Sequence, residues 1–190
     1  MPSRKNPEPV PPDEAILVII RGNSGSGKST VAREVRDRFG RGCALVEQDY
    51  LRRILLREWD GRDSGGIAPQ LIGNTVRFAL EHGYHVILEG FLWTVRYADM
   101  LHDLLDRHTG PSHVFYLDVS FDETVRRHAT RPQADEFTPE QMSTWYEHFD
   151  VLGIDGERVI PESSTLDRTV EEIVRVMRPT ALVDRSARTA

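Results

Sequence analysis

Residues 22–30 read Gly22-Asn23-Ser24-Gly25-Ser26-Gly27-Lys28-Ser29-Thr30 and fill every specified position of the phosphate-cradling pattern G-x-x-x-x-G-K-[ST]. An uninterrupted apolar run of strand length, Ala15 to Ile20, precedes it, and Val31, Val35 and Phe39 follow on one face of a helix. This order of strand, glycine loop and helix is the context the pattern requires, and it commits the chain to an α/β fold. The glycines at 22, 25 and 27 allow backbone N–H groups to turn inward, where with the helix N-terminus they surround a polyphosphate. Lys28 then reaches the terminal phosphates as a point charge, and the Ser29 hydroxyl is placed to bind Mg²⁺, which takes few protein ligands. The whole stretch from Gly22 to Thr30 is the expected nucleotide site.

At 190 residues the chain fits one domain with a substantial core. A net charge of −6, with no long run of lysines and arginines, speaks against a nucleic-acid surface. The single cysteine, Cys43, forms no internal disulfide and lies in an apolar stretch, which reads as a buried inert thiol in a reducing compartment. The apolar run at 15–20 is too short to span a membrane, and the segment before it, with prolines at 2, 7, 9, 11 and 12, does not read as a signal peptide. Expected, then, is a cytoplasmic protein with a disordered arm at 1–13, a folded domain at 14–178 and a polar tail at 179–190.

Further strands are expected at Cys43–Glu47, His85–Leu88, Val114–Val119 and around Arg158–Ile160. Tyr50, Leu51, Ile54 and Leu55 suggest a short amphipathic helix, and the glycine-rich residues 58–66 a mobile loop. Helical spacing recurs at Ile72, Val76, Ala79 and Leu80, at Tyr97, Leu101, Leu104 and Leu105 with Thr94 as a cap, and from Leu166 to Met177. Ser120 with Glu123, and Thr138 with Pro139 and Gln141, have the form of capping boxes. Apolar strands alternating with helices imply a parallel sheet covered on both faces, with ligands beyond the carboxyl ends of the strands.

That rule selects Asp49 after the second strand and Glu89 after the third. Asp49 could orient a hydroxyl nucleophile and accept its proton, with Arg52 sharing its helical face; it could equally cap the helix that begins at Tyr50. Glu89 could bind Mg²⁺ through water or contact an acceptor, or be a solvated strand end. Arg127 and Arg131, four apart on the helix begun by Ser120, could close over the phosphates, or be spent on surface pairs with Asp122 or Glu123. The seven histidines show no metal-ligand spacing.

Taken together, these residues resemble the small P-loop kinases that include polynucleotide kinase, gluconate kinase, the zeta-toxin kinases and chloramphenicol phosphotransferase. The resemblance rests on Gly22 to Thr30, on Asp49-Tyr50-Leu51-Arg52 as a D-x-x-R after the second strand, on Arg127 and Arg131 as lid arginines, and on Val159 to Ser164 before the last helix. It implies a three-layer P-loop NTPase fold with a five-stranded parallel sheet in the order 2-3-1-4-5 and a small helical lid at about residues 126–138. It further implies ATP with Mg²⁺, Asp49 as general base, acceptor contacts from Asp49, Arg52 and Glu89, and the adenine near Ile160 to Ser164. Glu89-Gly90-Phe91 looks like the Asp-Gly-Phe of adenylate kinases, but Leu92-Trp93 replaces the expected Pro-Arg, which argues against a nucleoside-monophosphate acceptor.

The expected acceptor is a hydroxyl on a small molecule, in a pocket walled by Trp59, Phe91, Trp93 and Tyr97 with Asp60, Asp63 and Glu89 as hydrogen-bond acceptors. A polynucleotide 5′-hydroxyl kinase and a nucleotide-dependent switch without an acceptor are the alternatives. The Asn-Lys-x-Asp string of a guanine-reading switch is absent.

Overall fold

The computed structural model describes residues 7–58, 66–130 and 137–178. Five strands, β1 (Leu17–Gly22), β2 (Cys43–Glu47), β3 (His85–Gly90), β4 (Ser112–Asp118) and β5 (Arg158–Pro161), form one all-parallel sheet in the order β2-β3-β1-β4-β5. Side chains of β1 alternate between two apolar layers, as a sheet buried on both faces requires. Leu17 and Ile19 pack beneath α2 (Ala68–Glu81) and α3 (Thr94–Arg107), whereas Val18 and Ile20 face α1 (Lys28–Phe39) and α6 (Leu166–Met177). The fold is the three-layer P-loop NTPase fold expected from the sequence.

The helical spacings read from the sequence mark the buried faces: Val31 and Val35 of α1, Ile72, Val76 and Leu80 of α2, and Tyr97, Leu101 and Leu104 of α3 are buried. Each fully buried side chain of this size contributes about 1.5–3 kcal/mol. Burial therefore outweighs exposed pairs such as Arg38–Asp167 in docking α6 on α1. His85 is nearly buried at the start of β3, where its Nδ1 accepts a hydrogen bond from the Ile16 amide at 3.0 Å, and burial lowers its pKa. It is a core histidine.

Several local expectations need correction. Residues 7–13 are not a disordered arm: the Val10 amide donates to the Gly83 carbonyl at 3.1 Å, and the Val10 side chain packs against the α2/α3 core. The prolines flanking Val10 leave little backbone entropy to lose, so one apolar anchor and one hydrogen bond suffice. Residues 1–6 and the expected tail at 179–190 lie outside the described residues.

Tyr50–Leu55 is a π-helical turn rather than an amphipathic helix, closed by the Leu56 amide on the Leu51 carbonyl. Tyr50, Ile54 and Leu55 are exposed, and Leu51 alone of the four apolar residues packs on the core. Thr94 does not cap α3 but is its first residue. Its amide donates to Asp150 Oδ2 at 3.1 Å and its hydroxyl to Oδ1, so a carboxylate 56 residues away serves that helix end.

The capping box of α5 (Pro139–Trp145) forms as expected, with Thr138 and Gln141 bonding each other's backbone amides. At α4 (Phe121–His128) only half of it forms: Ser120 Oγ accepts from the Glu123 amide, while the Glu123 carboxylate turns to Arg126 and Arg127. Cys43 is half-buried rather than buried, and burial still pushes its thiol up to about 12, leaving it an inert thiol at neutral pH. Among the described residues, no helix is long and apolar enough to cross a membrane.

Candidate active site

The carboxyl ends of β1, β2 and β3 bring together four of the residues singled out from the sequence. Gly22, Gly25 and Gly27 all have positive φ, and the first two also lack room for a side chain: a Cβ on Gly22 would lie 2.8 Å from the Leu117 carbonyl, and one on Gly25 2.7 Å from that of Thr124. The loop thus closes tightly against β4 and α4. Lys28 opens α1, and its Nζ donates to the Asn23 carbonyl at 3.4 Å across the loop. Asn23 is buried, and its amide exchanges two hydrogen bonds with the backbone of Glu147, at 2.7 and 2.9 Å. That side chain anchors the loop rather than lining it. Ser24 and Ser26 complete the turn, and Thr30 lies on the exposed side of α1.

Glu89 stands opposite. It lies within β3 rather than after it, only 3% exposed, and accepts a hydrogen bond from the Ser29 hydroxyl at 3.1 Å. Burial pushes its pKa above the ordinary carboxylate value, opposed by the charge of Lys28 and the Ser29 hydrogen bond and assisted by Asp49 and Glu47. A solvated strand end is therefore excluded. Ser29 and Glu89 form a pair of hard oxygen donors at the mouth of the loop, the chemistry that suits Mg²⁺. Among the described residues no three His, Cys, Asp or Glu side chains converge on a metal site. The donor set thus fits an ion that draws most of its ligands from nucleotide and water.

Asp49 follows β2, with φ −64° and ψ −35° and no capping hydrogen bond, because a helical backbone cannot direct its carboxylate onto the next turn's amides. The helix-cap reading is not realised. Its side chain is 59% exposed and pairs with Arg52 at 3.3 Å. Gln48 fixes this turn: it is buried, donates to the Tyr97 hydroxyl at 3.1 Å and accepts from the Phe91 amide at 3.3 Å. A Cβ on Gly90 would lie 2.5 Å from the Gln48 Cβ, so glycine there lets the Asp49 and Glu89 backbones approach.

Of the two lid arginines expected from the sequence, Arg127 alone falls among the described residues. The Thr130 hydroxyl donates to the Arg127 carbonyl at 2.8 Å and α4 ends at His128, while Arg131, with the expected lid residues 131–136, lies outside the described residues. Arg127 Nε pairs with Glu123 at 2.6 Å, which is the surface pairing considered from the sequence, but Nη1 donates to the Ser26 carbonyl at 2.8 Å and Nη2 to the Glu162 carbonyl at 3.3 Å. It therefore ties the phosphate loop to the segment after β5. The cleft beside it, about 370 Å³, is walled by Val119, Ile160 and Leu166 and edged by Glu162 and Ser164.

On the other side of the loop, Trp93 and Tyr97 are buried and do not wall an acceptor pocket; Trp59, Asp60 and Asp63 lie outside the described residues. Phe91 is half-buried, its ring 4.4 Å from that of Trp93.

One buried residue escaped the sequence reading altogether. Arg21, at 0% exposure in β1, pairs with Asp150 at 3.2 Å and Glu157 at 3.1 Å and donates twice to the Leu92 carbonyl. The available signal was a cation directly after six apolar residues, at a position that a strand buried on both faces leaves no solvent to serve.

A family described as AAA domain matches residues 17–152. No curated protein matches the chain. Among solved structures, a candidate kinase from Chloroflexus aurantiacus superposes with a TM-score of 0.67 at 17% identity, over 87% of this chain and 96% of that one. The APS kinase of Mycobacterium tuberculosis, solved with AMPPNP and APS, has a TM-score of 0.67 at 16% identity, over 88% and 99%. A gluconokinase from Sinorhizobium meliloti gives 0.62 at 18%, over 87% and 91%. At such identities the likeness is one of fold.

Proposed function

The chain belongs to the AAA-domain family matched over residues 17–152, and on that premise we propose that it is a kinase that passes the γ-phosphate of ATP to a hydroxyl group of a small molecule. The observation that carries this reading is the convergence of Lys28, the Ser29–Glu89 pair and the exposed Asp49 at the ends of three adjacent strands. The fold neighbours that are kinases support it.

In this reading the loop N–H groups and Lys28 hold the phosphates, and the base lies in the cleft beside Ile160 and Arg127. Ser29 and Glu89 would hold Mg²⁺, which when bound neutralises charge on the transferring group. Asp49 accepts the proton of the attacking hydroxyl as its oxygen bonds to the γ-phosphorus and the bond to the bridging oxygen breaks. Arg52 keeps the Asp49 carboxylate turned toward the acceptor side. A net charge of −6 with no long basic run disfavours a polynucleotide, whose phosphates would need several Lys or Arg contacts. Dependence on ATP and the reduced Cys43 suit a cytoplasmic location.

The test is ADP release against a panel of sugars, nucleosides, aminocyclitols and a 5′-hydroxyl oligonucleotide. A small acceptor should accelerate it, and Asp49→Asn should lower that rate on the order of a hundredfold while leaving AMPPNP binding intact. Salt-sensitive phosphorylation of the oligonucleotide would overturn the acceptor class, and ADP release that no acceptor accelerates would favour a nucleotide switch.

Arg127→Ala separates donor binding from chemistry. Because its nitrogens hold the Ser26 and Glu162 carbonyls around the base cleft, we expect the ATP KM to rise by about tenfold with kcat little changed. A fall in kcat at unchanged KM, measured at varied ATP, would restore the transition-state role expected from the sequence.

A further inference from the structure

Arg21 lies behind the phosphate loop, in register with Gly90 on one side and Tyr116 on the other. Its guanidinium, closed off from solvent, donates to the Leu92 carbonyl through Nη2 at 3.0 Å and Nε at 3.4 Å. Leu92 has a φ of +47°, a conformation that a leucine adopts only when its surroundings impose it. The same Nη2 reaches Asp150, whose two carboxylate oxygens hold the amide and hydroxyl of Thr94 at the start of α3. Nη1 reaches Glu157, which in turn accepts from the amides of Leu152 and Gly153. One side chain thus meets the backbone on both sides of Trp93, directly at Leu92 and through Asp150 at Thr94.

A buried cation with two carboxylates gives little net stability over a well-packed apolar replacement, so its value lies in fixing a geometry. Lysine could carry the charge but not the fork that reaches a carbonyl and two acids together. We infer that Arg21 is a positioning residue, which clamps the backbone from Leu92 to Thr94 against the strand that carries the phosphate loop. On the kinase reading, which this inference rests on for its meaning, that backbone directly follows β3, and the clamp sets the distance between the phosphate loop and the strand end that carries Glu89.

The experiment is amide hydrogen exchange of the full chain, wild type against Arg21→Lys, with AMPPNP affinity measured in parallel. Exchange at residues 92–97 should rise by about tenfold in the variant, with α6 amides unchanged and AMPPNP affinity within about threefold. A uniform rise across the chain, or no rise at 92–97, would overturn the clamp. Arg21→Met with Glu157→Gln removes a cation and an anion together and keeps Asp150 on Thr94. It should reproduce the local effect at residue 92, and failure to do so would likewise reject the proposal. Neither measurement needs an acceptor, so the clamp can fail while the kinase reading stands, and the panel can fail while the clamp stands.

Discussion

Lys28→Ala should lower phosphoryl transfer on the order of a hundred- to a thousandfold and leave the fold unchanged. The magnitude is that of removing one preorganised charge from a site where charge develops in the transition state. The fold should survive because Lys28 is only half-buried, its Nζ makes one long contact to the Asn23 carbonyl, and α1 is held by Val31, Ala32 and Val35. Such a side chain contributes within about 0.5 kcal/mol to stability. ADP release and a thermal melt of the same preparation check both halves. Turnover close to wild type would remove the basis for assigning the loop to nucleotide chemistry.

Glu89→Gln should abolish Mg²⁺-dependent turnover and yet raise the melting temperature of the nucleotide-free protein. Glu89 is buried, and burial raises its pKa in the folded state above the unfolded value. Between those two values the folded protein binds more protons than the unfolded chain, so stability falls as pH rises through this window and does not recover above it. Glutamine keeps the shape and can still meet the Ser29 hydroxyl, but carries no charge to desolvate.

At pH 8 in EDTA the variant should therefore melt a few degrees higher, each kcal/mol being worth about 2–4 °C in a chain of this size, and the gap should close toward pH 4. Because a proton and Mg²⁺ compete for the Glu89 carboxylate, the Mg²⁺ concentration needed for half-maximal turnover should rise with acidification. A variant less stable than wild type at pH 8 would mean that the carboxylate serves the fold.

The phosphate loop and the apolar faces of α1, α2, α3 and α6 were legible because each is written in local periodicity or in one contiguous motif, whereas the strand order followed from the resemblance to the small P-loop kinases. The places of Asp49 and Glu89 were legible because strand ends in a parallel sheet have a fixed place, and that of Ser29 because it belongs to the glycine-loop motif. What stayed hidden depends on partners distant in sequence. Asp150 serves α3 from 56 residues away, and Arg21 meets acids 129 and 136 residues on. α4 ends at His128, short of the helix breaker Pro132 that marks its end in sequence. Val10 shows the same limit in reverse, since proline-rich composition masks a residue that joins the core.

The π-helical turn has a bearing on how acceptor preference can diverge. Gln48, wedged between Gly90 and Tyr97, holds the root of that turn, whereas Tyr50, Ile54 and Leu55 project from it with almost no obligations to the core. Those three outer residues can therefore be replaced at little cost to the core, while Asp49 at the root of the turn keeps its place beside Glu89 on β3.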